Sequence, residues 1–228
     1  MIRFADRMDR TESVELPDLS NYREIKPILK ISDEKVQGFW DEVFEEDGST
    51  EDFCFTEDEI IKEVFERYEE DFEFDFDVSE DSLQDILSKF DEENWNTFDE
   101  SEKLEIIEEF KNLLCEKLGI EYEPTIFLFE DDKNHCGAFN HQTNTLELNR
   151  NILDNPQQVV NTVAHEVRHG YQYERACIGE TRTDILYAIN FLNYVKPVQI
   201  DGKYVNFNEY QNQLIEAEAR AFAKLFSI

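Results

Sequence analysis

Residues 155–172 read NPQQVVNTVAHEVRHGYQ, and the order of residue types in this stretch sets the rest of the reading. Asn155 offers an N-cap, and Pro156 suits the first helical position, where its missing N–H is no loss. Val159, Val160, Val163 and Val167 then recur at helical spacing and make an apolar stripe. The pattern predicts a helix that opens at Pro156 and runs through QYE, residues 172–174. Inside it stand His165, Glu166 and His169. The spacing of four puts both imidazoles on one helix face, one turn apart.

Two imidazole nitrogens so placed can grip one metal ion. Zinc suits two neutral imidazoles plus a carboxylate, with a fourth position left for water, and it lowers that water's pKa toward about 7. Glu166, between the two ligands, is the expected general base. It would take a proton from the attacking water and return it to the leaving amine, so the expected reaction is amide hydrolysis.

Such a site needs a third protein ligand. It is expected in the last helix, within its stretch LIEAEARAFAKLF (214–226). Glu216 has small neighbours at Ala219 and Ala223 that allow close approach to another helix. Glu218 sits nearer the middle of the apolar face made by Leu214, Ala221, Phe222 and Leu225, where an acid requires a partner. Asp184 is a third contender. Asp184, Glu180, Glu174 and Glu209 are the acids available to orient the imidazoles. His135 and His141 flank the GAFN segment, and Tyr171, Tyr173, Tyr187 and Tyr210 are the tyrosines available to stabilise an oxyanion.

Two motifs resemble the zincin-like metallopeptidases of the gluzincin type, and among them the ImmA/IrrE-like soluble peptidases. TVAHEVRHGYQ (162–172) resembles the zinc helix of that family. Glu216-x-x-Ala219-x-x-Phe222-Ala223 resembles its third-ligand helix, with Arg220 standing where the family has Asn or Asp. The resemblance implies His165, His169 and Glu216 as ligands of a Zn2+ ion, Glu166 as the base, and a protein or peptide substrate. It also implies that an edge strand beside the metal holds substrate backbone, and GAFN (137–140) is the segment expected to do so.

Outward from this centre, Leu104, Ile107, Phe110, Leu114 and Leu118 share one helical face, and Gly119 follows as a stop. TIFLF (125–129) is expected as a short buried strand, and GAFN and TLELN (145–149) as strands flanking the turn HQTN. Together these predict a small antiparallel sheet. A further helix is predicted through TDILYAINFLNYV, a hairpin at VQIDGKYV turning on Asp201-Gly202, and a last helix over 208–226.

The chain has 228 residues and a formal net charge of -32. The charge is concentrated at 41–110, with 30 acidic against 4 basic residues. That excess repels phosphate backbones and anionic lipid, so neither nucleic acid nor membrane is expected as a partner. The acidic part still carries helical apolar spacing, with Thr56 and Ser79 as helix starts, and DFEFDFDVSED (71–81) alternates as an edge strand or a loop would. Its acids lack the turn glycine and the last-position glutamate of a calcium loop. The organisation expected is an acidic, mainly helical region over 1–94 and a zincin-like α+β domain over 95–228, mostly helical with the sheet beside the HExxH helix. The charged opening MIRFADRMDR and the dispersed Cys54, Cys115, Cys136 and Cys177 predict a cytoplasmic protein with reduced thiols. A second reading is a non-catalytic acidic interaction protein, a DNA mimic or inhibitor, whose zinc site is structural or vestigial. In either reading the acidic region suits a basic protein partner.

Overall fold

The computed structural model describes residues 57–130, 135–200 and 203–226. The expected helix start at Thr56, the thiol of Cys54 and the turn Asp201-Gly202 lie outside these. The architecture is α+β and mainly helical. Its helices are α1 (Glu57–Ile60), continued by a π-turn at Ile61–Phe65, then α2 (Asp81–Leu87), α3 (Glu92–Trp95), α4 (Glu100–Leu118), α5 (Pro156–Ile178), α6 (Arg182–Leu192), α7 (Phe207–Gln211) and α8 (Leu214–Ala223). The strands are β1 (Thr125–Phe129), β2 (Gly137–Asn140), β3 (Thr145–Asn149) and the short pair β4 (Gln199–Ile200) and β5 (Lys203–Tyr204). No helix among the described residues is long and apolar enough to cross a membrane.

Two compact units divide the described chain. One joins Glu69–Tyr171 to the segment from Glu218 onward, and the other joins the residues up to Tyr68 to Gln172–Ala217. Leu83, Leu87 and Phe90 are buried in one cluster with Trp95, Phe110, Leu146, Val163 and Phe222. Residues on the two sides of the boundary expected at 94 therefore share a core. Trp95 closes it by stacking on Phe90 at 4.8 Å and donating its indole N–H to the Leu153 carbonyl at 2.7 Å.

Local chemistry explains the helix ends. Asp99 accepts from the Glu102 N–H while the Glu102 carboxylate accepts from the Asp99 N–H, a reciprocal cap that opens α4. Gly119 closes it at φ 69, a conformation that favours glycine. Asn155 Oδ1 accepts from the Gln158 N–H at 3.0 Å and opens α5 beside Pro156, as its sequence predicts.

The sheet differs from expectation. β2 pairs antiparallel with β3 across the turn at 141–144, but β1 pairs with β3 in parallel, giving the order β1-β3-β2. The sheet is mixed because β2 reverses the chain between β1 and β3, leaving the free edge of β3 to a strand of its own direction. Burial follows: the central β3 is buried throughout, whereas β1 is an edge with Phe127 exposed.

Two other segments depart from the prediction, and a third takes the loop of its two expected forms. Ser79 does not cap α2, which begins at Asp81, because its N–H and hydroxyl both donate to Asp77 Oδ1 at 2.9 and 2.6 Å. These donors hold the Asp77 carboxyl below its ordinary pKa. Residues 72–78 form no ladder. They alternate all the same, with Phe72, Phe74, Phe76 and Val78 half-buried and Glu73, Asp75 and Asp77 exposed. Phe74 and Phe76 meet Phe222 edge-on at 5.4 and 5.2 Å, so side-chain burial on a helix replaces backbone pairing. The single last helix is broken into α7 and α8 at Asn212 and Gln213, because the Gln213 amide turns inward to bond backbone and side-chain groups described below.

β2 lies along α5. A Cβ on Gly137 would stand 2.6 Å from Thr162 Cγ2 and 2.7 Å from the Glu147 carbonyl oxygen, and one on Gly170 would stand 3.6 Å from the Phe139 ring. Since a backbone oxygen cannot rotate away, Gly137→Ala is expected to destabilise the protein by about 1–3 kcal/mol, read as a lowered urea midpoint.

Candidate metal centre

The apolar stripe of α5 buries Val159, Val160, Val163 and Val167 completely, and this carries the polar motif residues inward with it. His165 is 0% exposed, Glu166 1% and His169 9%, unusual values for ionisable groups that have no function to serve. One turn apart, the two imidazoles stand with ring centroids 4.6 Å apart and planes at 84°. Their Nε2 atoms face each other at 3.0 Å. When both rings are neutral and protonated at Nδ1, two lone pairs converge there, and a shared proton or cation relieves their repulsion.

α8 brings the third group. Glu216, in its first turn, is 2% exposed. His165, His169 and Glu216 each offer one ligand atom, and these atoms all lie within 4.8 Å of one another. Among the described residues this is the only group of three or more such side chains so placed.

The competing acids are held elsewhere. Glu218, also buried, binds the guanidinium of Arg168, the fourth residue of HEVRH. That guanidinium lies over the rings of Tyr171, Phe74 and Phe222 at 4.3, 5.2 and 5.3 Å. Apolar surroundings and cation–π contact both favour the pair staying together. Asp184 accepts from Arg175 Nε and Nη2 at 2.8 and 2.6 Å, and from the N–H groups of Glu180 and Thr181 at 3.0 and 2.9 Å. It thereby caps α6 and is not in the metal-competent group. Glu180 and Glu209 are exposed and Glu174 is half-buried.

His135 packs its ring on Phe129 at 5.1 Å ahead of β2, and His141 is exposed in the turn after it. Neither joins the cluster. Of the tyrosines, Tyr171 lies against Arg168. Tyr173 packs on Phe191 at 5.5 Å, and burial foremost, then Cys177, pushes its phenol well above the ordinary range, so it stays neutral. Tyr210 reaches the cluster, donating to Glu216 Oε2 at 3.1 Å. A tyrosine that sequence reasoning missed, Tyr194, donates to Glu216 Oε1 at 2.7 Å. The predicted helix ran past it, whereas α6 stops at Leu192 and leaves Tyr194 in an irregular connection. Arg220 donates to Glu69 Oε1 at 2.9 Å, and Lys224 pairs with the same carboxylate.

No family model, curated protein or solved structure matches the chain.

Proposed function

We propose that the chain is a zinc-dependent metallopeptidase. The observation that supports this is the convergence of His165, His169 and Glu216 on one buried point, with Glu166 on the same helix. Two imidazoles and one carboxylate are the ligand types that hold catalytic zinc while leaving a position open. The 3.0 Å between the two Nε2 atoms is near the edge of about 3.3 Å that a tetrahedron with zinc–nitrogen bonds of about 2.0–2.1 Å requires. A bound zinc ion supplies Lewis acidity, polarising a peptide carbonyl and acidifying water.

The remaining work falls to the chain. Glu166, as carboxylate, accepts the proton of the attacking water and passes it to the departing amine nitrogen. Its burial excludes bulk solvent, so the proton it holds is not lost to water. β2, an edge of the sheet lying along α5, offers main-chain groups on the side away from β3, which suits an extended peptide substrate. The acidic 41–110 region suits a basic protein partner.

Zinc stoichiometry tests the reading. Refilled wild type is expected to carry one zinc per chain, and His165→Ala and Glu216→Ala to lose it, with folding followed by circular dichroism. Glu218→Gln is expected to retain the metal wherever it remains folded. A folded, refilled wild type without zinc would remove the peptidase reading and leave the acidic interaction protein in its place.

A further inference from the structure

Glu216 is gripped from both sides, and the grip is itself held. Tyr194 donates to Oε1 at 2.7 Å and Tyr210 to Oε2 at 3.1 Å, with the two rings edge-to-face at 6.3 Å and 85°. Three stretches meet here: the connection after α6, the end of α7 and the start of α8. Gln213, wholly buried, fastens all three. Its Oε1 accepts from Asn190 Nδ2 and from the Val195 N–H, each at 3.0 Å, and its Nε2 donates to the carbonyls of Val195 and Tyr210 at 2.9 and 3.0 Å. Asn190 Oδ1 accepts from the Ile215 N–H at 2.9 Å, and Gln172 Nε2 donates to the Ile215 carbonyl at 3.1 Å. The backbone beside Tyr194, beside Tyr210 and beside Glu216 is thus tied into one buried network.

From this geometry we infer that Tyr194 and Tyr210 are positioning residues that fix the plane of the Glu216 carboxylate and so favour its binding a metal through a single oxygen. An ionised carboxylate has about four lone-pair sites on two oxygens. A donor on each oxygen stops the group from rotating and disfavours bidentate binding. Phenols suit the task because they are neutral: they orient the carboxylate without cancelling the charge that attracts a cation. A carboxylate restrained in this way fits a small, four-coordinate ion better than calcium, which takes six to eight oxygens and often both oxygens of a carboxylate.

The inference rests on the zinc reading, and the test separates the two. Zinc affinity of the full chain is measured by competition with a chromophoric chelator for wild type, Tyr194→Phe, Tyr210→Phe, the double variant and Tyr204→Phe. Tyr204, in the same unit, packs on Phe207 at 5.3 Å with the rings tilted by 37° and serves as control. Each phenylalanine keeps the ring and removes only the hydroxyl. Loss of such outer partners costs about 10–100-fold in metal affinity, so each clamp variant is expected to weaken zinc at least about tenfold, with Tyr204→Phe unchanged. The cobalt-substituted protein supplies the second readout. Its visible absorption bands, which report ligand geometry, are expected to shift in the clamp variants and not in the control, a change that a general loss of packing would not produce. Wild-type affinity and an unshifted cobalt spectrum in the double variant would overturn the clamp while leaving the zinc reading intact. Absence of zinc binding by wild type would overturn both.

Discussion

Replacing Glu166 with glutamine is expected to leave one zinc per chain and to lower peptide cleavage by about 10²–10⁴-fold, the range that a positioned general base supplies. The two states of the side chain decide this. A carboxylate accepts a proton and later releases it, whereas a primary amide of the same shape does neither at neutral pH. Glu166 is 1% exposed on a helix whose apolar face is fully buried, so the substitution fills the same space and removes a charge from the interior. Zinc analysis and a fluorogenic peptide assay on the same preparation check the prediction. Loss of zinc would make Glu166 structural, and undiminished cleavage would remove it from the chemistry.

Breaking the pair of Arg168 and Glu218 is expected to have the largest effect on stability. Both side chains are buried, at 9% and 6% exposure. Glu218→Gln leaves a guanidinium among Phe74, Tyr171 and Phe222 without its carboxylate, and removing one partner of a buried pair costs about 3–5 kcal/mol. That is a large share of the roughly 5–15 kcal/mol by which a native domain is stable. The double variant Arg168→Met, Glu218→Leu is expected to recover most of the loss. Methionine can fill the space among the three rings, and replacing both charges by apolar groups is often close to neutral. Urea unfolding of the single and double variants gives the comparison, and equal losses in both would mean that the rings, not the charges, hold the two helices together.

How far the sequence carried depended on whether the decisive interaction was local. α5 was readable because its cap, its proline and its stripe lie within one stretch, and so was α4, which ends at Gly119. Glu216 lies 47 positions beyond His169, and only a resemblance favoured it over Glu218. Helix geometry alone leaned the other way, since it saw Glu218 on an apolar face and could not see Arg168 waiting there. Tyr194 was missed because a periodic pattern carried the helix beyond its real end. The break at Gln213 was invisible for a similar reason: its cause is a set of hydrogen bonds to Asn190, Val195 and Tyr210, and no spacing rule encodes them. The parallel pairing of β1 was hidden because strand direction is set by which edge remains open, a matter of three-dimensional assembly.

The segment at 72–78 has a consequence for the unfolded chain. Phenylalanine at every second position, in a stretch that makes no ladder of its own, is the pattern that stacks into fibres when many copies meet. Here each intervening position is an acid, Glu73, Asp75 and Asp77. In a stacked, in-register array those carboxylates would fall directly above one another, and like charges so placed repel. When the phenylalanines leave Phe222, as they must during synthesis or partial opening, the alternation that lets them pack also keeps neighbouring chains apart. The acidity of this stretch thus guards it against aggregation while its rings are uncovered.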